Sequence, residues 1–585
     1  MKKIMTKRFL FISIPVVKKQ KNLQLLLPFI LPFICNAQVK VFYNARIFTA
    51  EVNHPYAEAI AINGKKIIAV GNNAEVKQVA GAVAEQIDCK GNFLMPGFID
   101  SHNHGINGGR GLTKANTSDQ LVSVNELVVY AKNMLQKKEG LTGDVLVIYG
   151  INISTWAQLE EVILQFNKDE FRTQPVVLRG SDGHTSWTNN AMMKRAKLDK
   201  QFIQSLPPGD KIYYRTTKEG EPNGFVSEKG YHTISSKLVL ETDFSKAAEK
   251  MMEYNNGLGI TAFLDPTVST LNNTRIDYME WYRYLSNNGK LTAHIAGCVV
   301  PDLDNDPQQQ INSLKALQKK YNAENFSVIG FKIFGDGVIE HPTHTAALSI
   351  PYTGSSSKGV LMFDSKKFER FAIAADKQNL LVHVHAIGDR AVTETLNVFE
   401  AVRKANGNNK IPHSITHLQI VLPSDFERFA KLNVLASCQL LWAFGDVTTI
   451  DIVKPYIDPS LYIWQYPARS LLQAGAIICG ASDWSVSSAN PFEAIYRAET
   501  RFGPMGVLDS TQCMPRLEML YAYTINAAKA MMIEEKIGSL VPGKSADIIM
   551  LDRDILTISP EAMKETRVLW TMFEGKKVYE AAVKK

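Results

Sequence analysis

Two histidines separated by one residue, His102 and His104, end an apolar stretch that begins at Phe98. Successive side chains of a strand point to opposite faces, so these two imidazoles share one face. Two imidazoles on one face at the end of a strand can hold a divalent metal ion. A purely structural histidine pair has the same pattern, so the prediction depends on partners elsewhere in the chain.

Further candidate ligands stand at the ends of later apolar runs. They are Lys332, the pair His383 and His385, His417, and Asp483. The 32 residues from His385 to His417 are close to one βαβ unit of about 30 residues, and the 66 residues from His417 to Asp483 are close to two. This spacing is expected if parallel strands each bring one ligand to the same rim.

The whole chain can be divided into alternating apolar runs and helical patterns. Eight strands are predicted at about 98–104, 260–266, 291–299, 328–334, 380–386, 413–419, 433–439 and 476–482. Helical patterns lie between them, for example at 365–377, 391–404 and 424–431. The alternation predicts an α/β fold, a (β/α)8 TIM barrel over residues 96–534, with the ligands at the ends of strands 1, 4, 5, 6 and 8. The interval from His104 to Lys332 is too long for three units, which predicts a large insertion after strand 1, at about 106–255.

Short alternating strands flank the predicted barrel on both sides. Turn signals such as Asn63-Gly64 separate the first group. Residues 38–95 and 535–585 are therefore predicted to pair into one small composite β-sandwich domain, which would be a scaffold and not the chemical site.

Longer motifs surround the candidate ligands. They are Met95 to His104, Gly183-His184, Gly330 to Gly337, His385 to Arg390, Ser482 to Trp484 with Asn490-Pro491, Thr524 to Ala528, and Gly538 to Asp547. In combination they resemble the amidohydrolase superfamily, and in the finer pattern its amidohydrolase-3 branch, which includes N-substituted formamide deformylases. The resemblance covers about residues 40–585. It is specific for superfamily and branch but not for substrate.

The resemblance implies a centre with one or two divalent metal ions. The implied ligands are His102, His104 and Asp483 for the more buried ion, and His385 and His417 for the second. His383 shares a face with His385, so either could be the ligand, and the resemblance favours His385. Zinc suits this ligand set, while manganese, iron or cobalt would also fit.

The resemblance also implies that carbon dioxide carbamylates Lys332, which then bridges both ions as a carboxylate. Burial forces a lysine toward its neutral, nucleophilic form, so the physics allows this modification. Two alternatives stay open: a buried ammonium paired with Asp336 or Asp483, and a single-metal site without the bridge.

The chemistry expected of such a centre is hydrolysis by a metal-activated water. Asp483 would accept the proton of the water as general base and pass it to the leaving nitrogen. The second metal or a donor such as His184 would polarise the carbonyl group. Asp483 could instead cap a helix, and the glycine-rich segment around His184 could be an ordinary turn.

Other side chains are candidates for substrate binding. Besides His184, Arg390 could recognise a carboxylate or carbonyl, or could anchor its loop through Asp389. Trp187 and Tyr352 could form apolar walls of the site, although aromatic side chains more often belong to the core.

Composition limits the partners and the compartment. The net charge of +7 comes entirely from seven Lys or Arg residues in 1–37, so the rest of the chain is balanced and has no basic footprint for nucleic acid. This leader resembles a signal peptide: basic residues precede the apolar stretch 23–34, and cleavage after Ala37 is acceptable. The apolar stretch is short for a membrane span, and Pro-Phe-Ile before Cys35 argues against a lipid anchor there. The five later cysteines are scattered and form no disulfide framework.

Taken together, the residues and the resemblance predict an exported, periplasmic or secreted, metal-dependent amidohydrolase that cleaves a C–N bond of a small-molecule amide, N-acyl or N-formyl. Hydrolysis of a cyclic amide, a carbamate or an ester on the same site is an alternative. A non-catalytic metal-containing binding protein is another. The sequence specifies neither the substrate nor the oligomeric state, and it is compatible with a homo-oligomer.

Overall fold

A computed structural model of the chain describes residues 39–117, 123–239, 243–271, 277–407 and 411–582. The predicted signal peptide, residues 1–37, lies outside this part. Among the described residues, no helix is both long and apolar enough to cross a bilayer.

The first described segment forms short strands around one helix. They are β1 (Lys40–Tyr43), β2 (Arg46–Phe48), β3 (Tyr56–Ala57), β4 (Ala59–Asn63), β5 (Lys66–Gly71), α1 (Asn73–Ala80), β6 (Glu85–Asp88) and β7 (Phe93–Pro96). The turn between β4 and β5 places Gly64 at a φ of 56°, where glycine carries no steric cost. Helix α1 begins after Asn72, whose side chain accepts hydrogen bonds from two backbone N–H groups of the first turn.

The first barrel strand, β8 (Phe98–Asp100), is followed by a long segment with its own sheet. Its helices are α2 (Gly105–Gly111), α3 (Val124–Lys137), α4 (Leu159–Gln165), α5 (Asn190–Ala196), α6 (Lys200–Ser205), α7 (Tyr231–Ser235) and α8 (Ser245–Gly257). Its strands are β9 (Leu141–Thr142), β10 (Val145–Ile151), β11 (Val176–Gly180), β12 (Thr185–Thr188), β13 (Tyr214–Thr216) and β14 (Pro222–Ser227). The six strands form one sheet in the order β13-β14-β12-β11-β10-β9. The limits of the insertion stay a prediction.

The remaining barrel strands alternate with helices, as the sequence predicted. The strands are β15 (Ile260–Thr270), β16 (His294–Val300), β17 (Phe326–Phe334), β18 (Leu381–Ala386), β19 (Ser414–His417), β20 (Leu435–Cys438) and β21 (Ile478–Gly480). The helices are α9 (Met279–Asn287), α10 (Pro307–Tyr321), α11 (Ser365–Lys377), α12 (Asp389–Asn406), α13 (Pro423–Lys431), α14 (Pro459–Tyr462) and α15 (Ala468–Gln473). The eight strands pair in parallel in chain order from β8 to β21. The predicted TIM-barrel-like fold is therefore confirmed.

Helix α11 shows why these elements form. The Asp364 side chain accepts a hydrogen bond from the backbone N–H of Lys367, at 2.9 Å, and so caps the helix. Its buried apolar residues recur at helical spacing and pack on the barrel; they are Phe368, Phe371, Ala372 and Ala375.

The barrel closes where the first and last strands end. The backbone N–H of Ser101 donates to the Gly480 carbonyl at 2.9 Å, and that of Asp483 donates to the His102 carbonyl at 2.8 Å. The segments that carry three candidate metal ligands are thus hydrogen-bonded to each other.

The chain ends in further short elements. They are α16 (Pro491–Thr500), β22 (Phe502–Gly503), β23 (Gly506–Val507), α17 (Arg516–Tyr521), α18 (Ala527–Ala530), β24 (Ile548–Leu551), α19 (Pro560–Met563), β25 (Val568–Phe573) and β26 (Lys576–Glu580). Strand β24 pairs antiparallel with β7, so one sheet, in the order β26-β25-β24-β7-β2-β3, contains strands from both ends of the chain. The domain boundaries drawn from the sequence stay predictions.

Candidate metal centre

Three side chains from the two ends of the barrel sheet converge on one point. The Oδ1 atom of Asp483 lies 3.2 Å from Nε2 of His102 and 3.2 Å from Nε2 of His104. One potential ligand atom from each of the three lies within 4.8 Å of the other two. This Oδ1 atom is buried and has no hydrogen-bond partner within the described part of the chain. A buried carboxylate oxygen between two imidazole nitrogens, without a donor of its own, fits a bound cation.

The Asp100 carboxylate holds the two ligand-bearing loops together. It accepts hydrogen bonds from the backbone N–H groups of His102 at 3.1 Å and Ser482 at 3.0 Å. The Ser482 hydroxyl and the Asn103 amide also donate to it. Burial raises the pKa of Asp100 to about 6, against these hydrogen bonds. Since Asp100 touches both loops, it fixes the position of His102 relative to Asp483.

His385 and His417 stand beside this trio, at the ends of β18 and β19. Their ring centres are 4.3 Å apart. His417 Nδ1 lies 4.0 Å from Oδ2 of Asp483 and 3.1 Å from Oε1 of Gln439. Nε2 of His385 lies 3.0 Å from the Gly337 carbonyl oxygen. The two predicted groups of ligands therefore meet at one centre.

The buried imidazoles of this centre are neutral. Burial is the main cause that holds the pKa of each of these imidazoles well below its ordinary value, and neighbouring imidazoles and Lys332 lower it further. The imidazoles belong to His102, His383, His385 and His417. Burial opposes the charge of Asp483 as well, but the adjacent His104, His417 and Lys332 lower its pKa below the ordinary value. Neutral imidazoles and an ionised carboxylate are the protonation states that metal binding requires.

Lys332 lies on β17 with its ammonium group toward the same centre. Burial lowers its pKa to about 7, although the Asp483 carboxylate acts in the opposite direction. Within the described residues it forms no ion pair shorter than 4 Å, with Asp336 or any other acid. The Asp336 carboxylate instead accepts hydrogen bonds from the backbone N–H groups of Ala347, Ile387 and Gly388. The alternative of a Lys332–Asp336 ion pair is therefore not what the structure shows.

His383 lies one layer below the centre. Its Nε2 is 2.6 Å from Nδ1 of His102, and its Nδ1 is 2.6 Å from the Ser414 hydroxyl oxygen. Both ring nitrogens are thus engaged, and His383 is placed to orient His102. Hydrogen bonds of this kind fix the tautomer and the direction of a metal-binding imidazole.

We expect His383→Phe to weaken metal binding about 10- to 100-fold without removing the site, because the loss of an orienting partner has typically that cost. Calorimetric titration of the metal-free protein with Zn²⁺ measures the change. Ser414→Ala, which removes only the second hydrogen bond of His383, should have a smaller effect. Unchanged affinity in His383→Phe would contradict the orienting role.

The insertion contributes His184, which follows β11. The backbone N–H of His184 donates to Asp182 at 3.0 Å, and its Nδ1 lies 2.8 Å from Oε2 of Glu228. Its ring centre is 5.5 Å from that of His385. Burial opposes a charge on His184, but the Glu228 carboxylate, with smaller effects of Asp182 and Asp483, raises its pKa to about 9. His184 is therefore a cationic donor facing the centre at neutral pH.

Two cavities meet at the centre. Both are lined by residues from the barrel and the insertion: Ser181, Asp182, His184, His385, His417, Asp483 and Val486. The first, of about 500 Å³, is called here the aromatic cavity; its further lining includes Glu340, Gln419, Trp442, Phe444, Tyr466, Tyr496 and Arg497. The second, of about 510 Å³, is called the arginine cavity; it includes His102, His104, Arg110, Tyr149, Arg179, Tyr278 and Lys332.

Three residues predicted to bind substrate do not line either cavity. Trp187 is fully buried inside the insertion, where its indole N–H donates to the Asn223 carbonyl. Tyr352 is buried and donates to the Ala346 carbonyl at 2.9 Å. One Arg390 N–H group faces the Gly359 carbonyl at 3.5 Å, and Asp389, the predicted anchor, instead accepts the backbone N–H of Ser349 at 3.0 Å. In the structure, Trp187 and Tyr352 therefore belong to the core, and Arg390 contacts a neighbouring loop.

Several residues at the centre were not found from the sequence. Glu228 pairs with His184 across 44 residues and belongs to no motif. The Trp442 ring stacks on His417 with ring centres 5.8 Å apart and an angle of 9° between the ring planes. Glu340 follows the Gly335-Asp336-Gly337 motif, and its position in the loop after strand 4 was the one available signal.

An eight-stranded parallel barrel with histidines and an aspartate gathered at its strand ends defines a metal-dependent hydrolase. The profile of the family described as "Amidohydrolase family" matches residues 85–579. The chain therefore belongs to the amidohydrolase family, as its motifs predicted.

Individual relatives are distant but cover almost the whole chain. The chain is 27% identical to Protein LONG AFTER FAR-RED 3 of Arabidopsis thaliana over 92% of its own length and 91% of the relative. It is 24% identical to N-substituted formamide deformylase of Arthrobacter pascens over 92% of its own length and 97% of the relative. Among solved structures, an uncharacterized metal-dependent hydrolase from Pyrococcus horikoshii superposes with a TM-score of 0.67 at 23% identity, over 90% of this chain and 99% of that chain. This last likeness shows the fold.

Proposed function

We propose that the protein hydrolyses a C–N bond of a small-molecule amide, N-acyl or N-formyl, as an exported metal-dependent amidohydrolase. The observation that carries the proposal is the Asp483 carboxylate, whose Oδ1 atom lies unpartnered between His102 and His104. Family membership and a relative named as a formamide deformylase support the bond type. The proposal of export depends on the leader 1–37. N-terminal sequencing of the mature protein tests it, and a first residue other than Gln38 would contradict cleavage after Ala37.

The residues of the centre divide into two groups of ligands. His102, His104 and Asp483 would hold one ion, and His385 and His417 would hold a second, with Lys332 between them as a carbamate. When bound, a divalent ion such as zinc supplies Lewis-acid activation of water and of the carbonyl group. His385 Nε2 lies 3.0 Å from the Gly337 carbonyl oxygen, so Nδ1 is the nitrogen that would bind the second ion.

Two side chains move or hold protons in the proposed reaction. Asp483 is ionised at neutral pH, so one of its oxygens can accept the proton of the attacking water and later return it to the leaving nitrogen. His184 is held as a cation by Glu228, and it can donate a hydrogen bond to the carbonyl oxygen as negative charge develops there.

The Glu228 contact leads to a prediction about pH. Cationic His184 predominates below its pKa of about 9, so activity that needs this donor should fall as the pH rises through that value. In Glu228→Gln the main interaction that raises the pKa is gone, burial lowers it, and the alkaline limb of kcat/KM should move to lower pH. We expect kcat/KM of Glu228→Gln at pH 8 to be about tenfold below that of the unchanged protein.

The control for this prediction is Thr345→Val. Thr345 donates to the other oxygen of Glu228 at 3.1 Å, so its loss leaves the His184–Glu228 contact in place. The alkaline limb of kcat/KM in Thr345→Val should lie at the same pH as in the unchanged protein. An identical pH profile in Glu228→Gln would rule out the donor role of His184.

The proposed function is tested by metal content per chain and intact mass under gentle conditions, followed by a substrate screen. We expect two metals, an added carbon dioxide on Lys332, and hydrolysis of linear amides in preference to cyclic amides, carbamates and esters of similar size. One metal with an unmodified lysine would replace the bridged centre by a mononuclear one. Metal-loaded protein that hydrolyses none of these classes would refute the proposal.

A further inference from the structure

The aromatic cavity contains a carboxylate that the proposed reaction does not use. Glu340 lies in the loop after β17, and its carbonyl oxygen accepts the backbone N–H groups of Thr343 at 2.8 Å and His344 at 3.2 Å. This turn fixes the backbone, and the Glu340 side chain lines the cavity, where the Gln419 side chain donates a hydrogen bond to it. Burial raises the pKa of Glu340 to about 7, as expected for a carboxyl group without a close cation.

Glu340 has no partner of opposite charge in contact. Among the described residues it forms no ion pair within 4 Å. The charged groups that act on it most strongly are His184 and Asp182, which have opposite effects, and His184 is already bonded to Glu228. The Glu340 carboxylate, when ionised, therefore has no cation at contact distance among the described residues.

Besides His184, two cations line the same cavity, and both have other partners. The Arg497 guanidinium lies 3.9 Å from the centre of the Phe444 ring and donates to the Phe502 carbonyl. The Lys564 ammonium lies 4.4 Å from the centre of the Tyr496 ring. Both are held by the side of the cavity formed by α16 and its neighbours, so neither neutralises Glu340.

Aromatic rings form much of the remaining wall. They belong to Trp442, Phe444, Tyr466 and Tyr496. An ammonium group on an apolar arm matches such a space: the arm packs against the rings, and the charge is stabilised by the Glu340 carboxylate.

We propose that Glu340 is a specificity-determining residue and that the aromatic cavity binds the part of the substrate that bears a primary ammonium group on an aryl or alkyl arm. The inference deepens the proposed function, because this arm would be one side of the amide that the metal centre hydrolyses. Gln419, which neighbours Glu340 in the cavity, can share the N–H donors of the ammonium group.

Binding of two probes tests this inference without any need for turnover. The probes are 2-phenylethylammonium and its neutral counterpart 2-phenylethanol, titrated calorimetrically into the metal-loaded full chain. We expect Glu340→Gln to weaken binding of the ammonium at least about tenfold and to leave the alcohol unchanged. Glu427→Gln removes an exposed carboxylate of α13 that lines neither cavity, and it should change neither affinity by more than about twofold.

The outcomes separate this inference from the proposed hydrolysis. Equal affinity of the ammonium for the unchanged protein and Glu340→Gln would overturn it, as would an equal loss for both probes or no binding of either probe. Thermal melting shows whether each variant is folded, and Glu340→Asp, which keeps the charge, should retain more ammonium binding than Glu340→Gln. If the protein shows this difference in ammonium binding but no amidase activity, the proposed function is refuted and the proposed cation site stands.

Discussion

Replacing Asp483 with asparagine is expected to lower kcat/KM by about 10²- to 10⁴-fold while most of the bound metal is retained. Asparagine has nearly the same shape and keeps one oxygen near His102 and His104, but it cannot accept and return a proton. Steady-state kinetics on a linear amide and metal analysis of the same sample provide the two measurements.

The matched control for Asp483→Asn is Glu427→Gln. Glu427 lies on α13 with its side chain 71% exposed, and it lines neither of the two cavities. Its replacement should leave kcat within about twofold of the original. If Asp483→Asn kept full turnover with its metal in place, the assigned role of Asp483 as general base would be wrong.

Removal of the metal by a chelator is expected to abolish turnover and to lower the thermal midpoint, both reversibly on addition of Zn²⁺. A ligand that binds only the folded state stabilises it by about 4 kcal/mol when its free concentration is a thousandfold above Kd. His102 and Asp483 are 381 residues apart in sequence, and only the folded barrel brings them to within 3.2 Å, so the site is lost in the unfolded chain.

The control for metal removal is His102→Gln, which lacks one ligand from the start. Its thermal midpoint should respond little to the chelator. Full turnover in protein shown by elemental analysis to be free of metal would contradict the proposed centre.

The barrel could be predicted from the sequence because parallel strands leave a strong local signal. Strands that are buried on both faces read as continuous apolar runs, and all eight predicted strands overlap observed ones. The ends were less accurate. The predicted strand 98–104 ends in the structure at Asp100, because the Asp100 carboxylate takes the backbone N–H of His102 and draws the chain out of the sheet.

The parts of the site that could not be predicted depend on contacts between distant segments. The Glu228–His184 contact arises from the fold of the insertion, and no periodic pattern marks it. Trp187 was misassigned for a related reason. All four residues of β12 are buried, so alternation along the strand does not tell which side chain faces a cavity and which faces the core.

The closure of the barrel sets the order in which the centre can assemble. The hydrogen bond between Asp100 and Ser482 joins residues 382 positions apart, and the same junction places Asp483 beside His102. Contacts of such long sequence separation form late, because the entropy of closing the intervening chain must first be overcome. During synthesis the first two histidines thus emerge long before their carboxylate partner. A metal ion can therefore bind its complete set of ligands only after the barrel has closed. A chain that ends before the last strand cannot form the site.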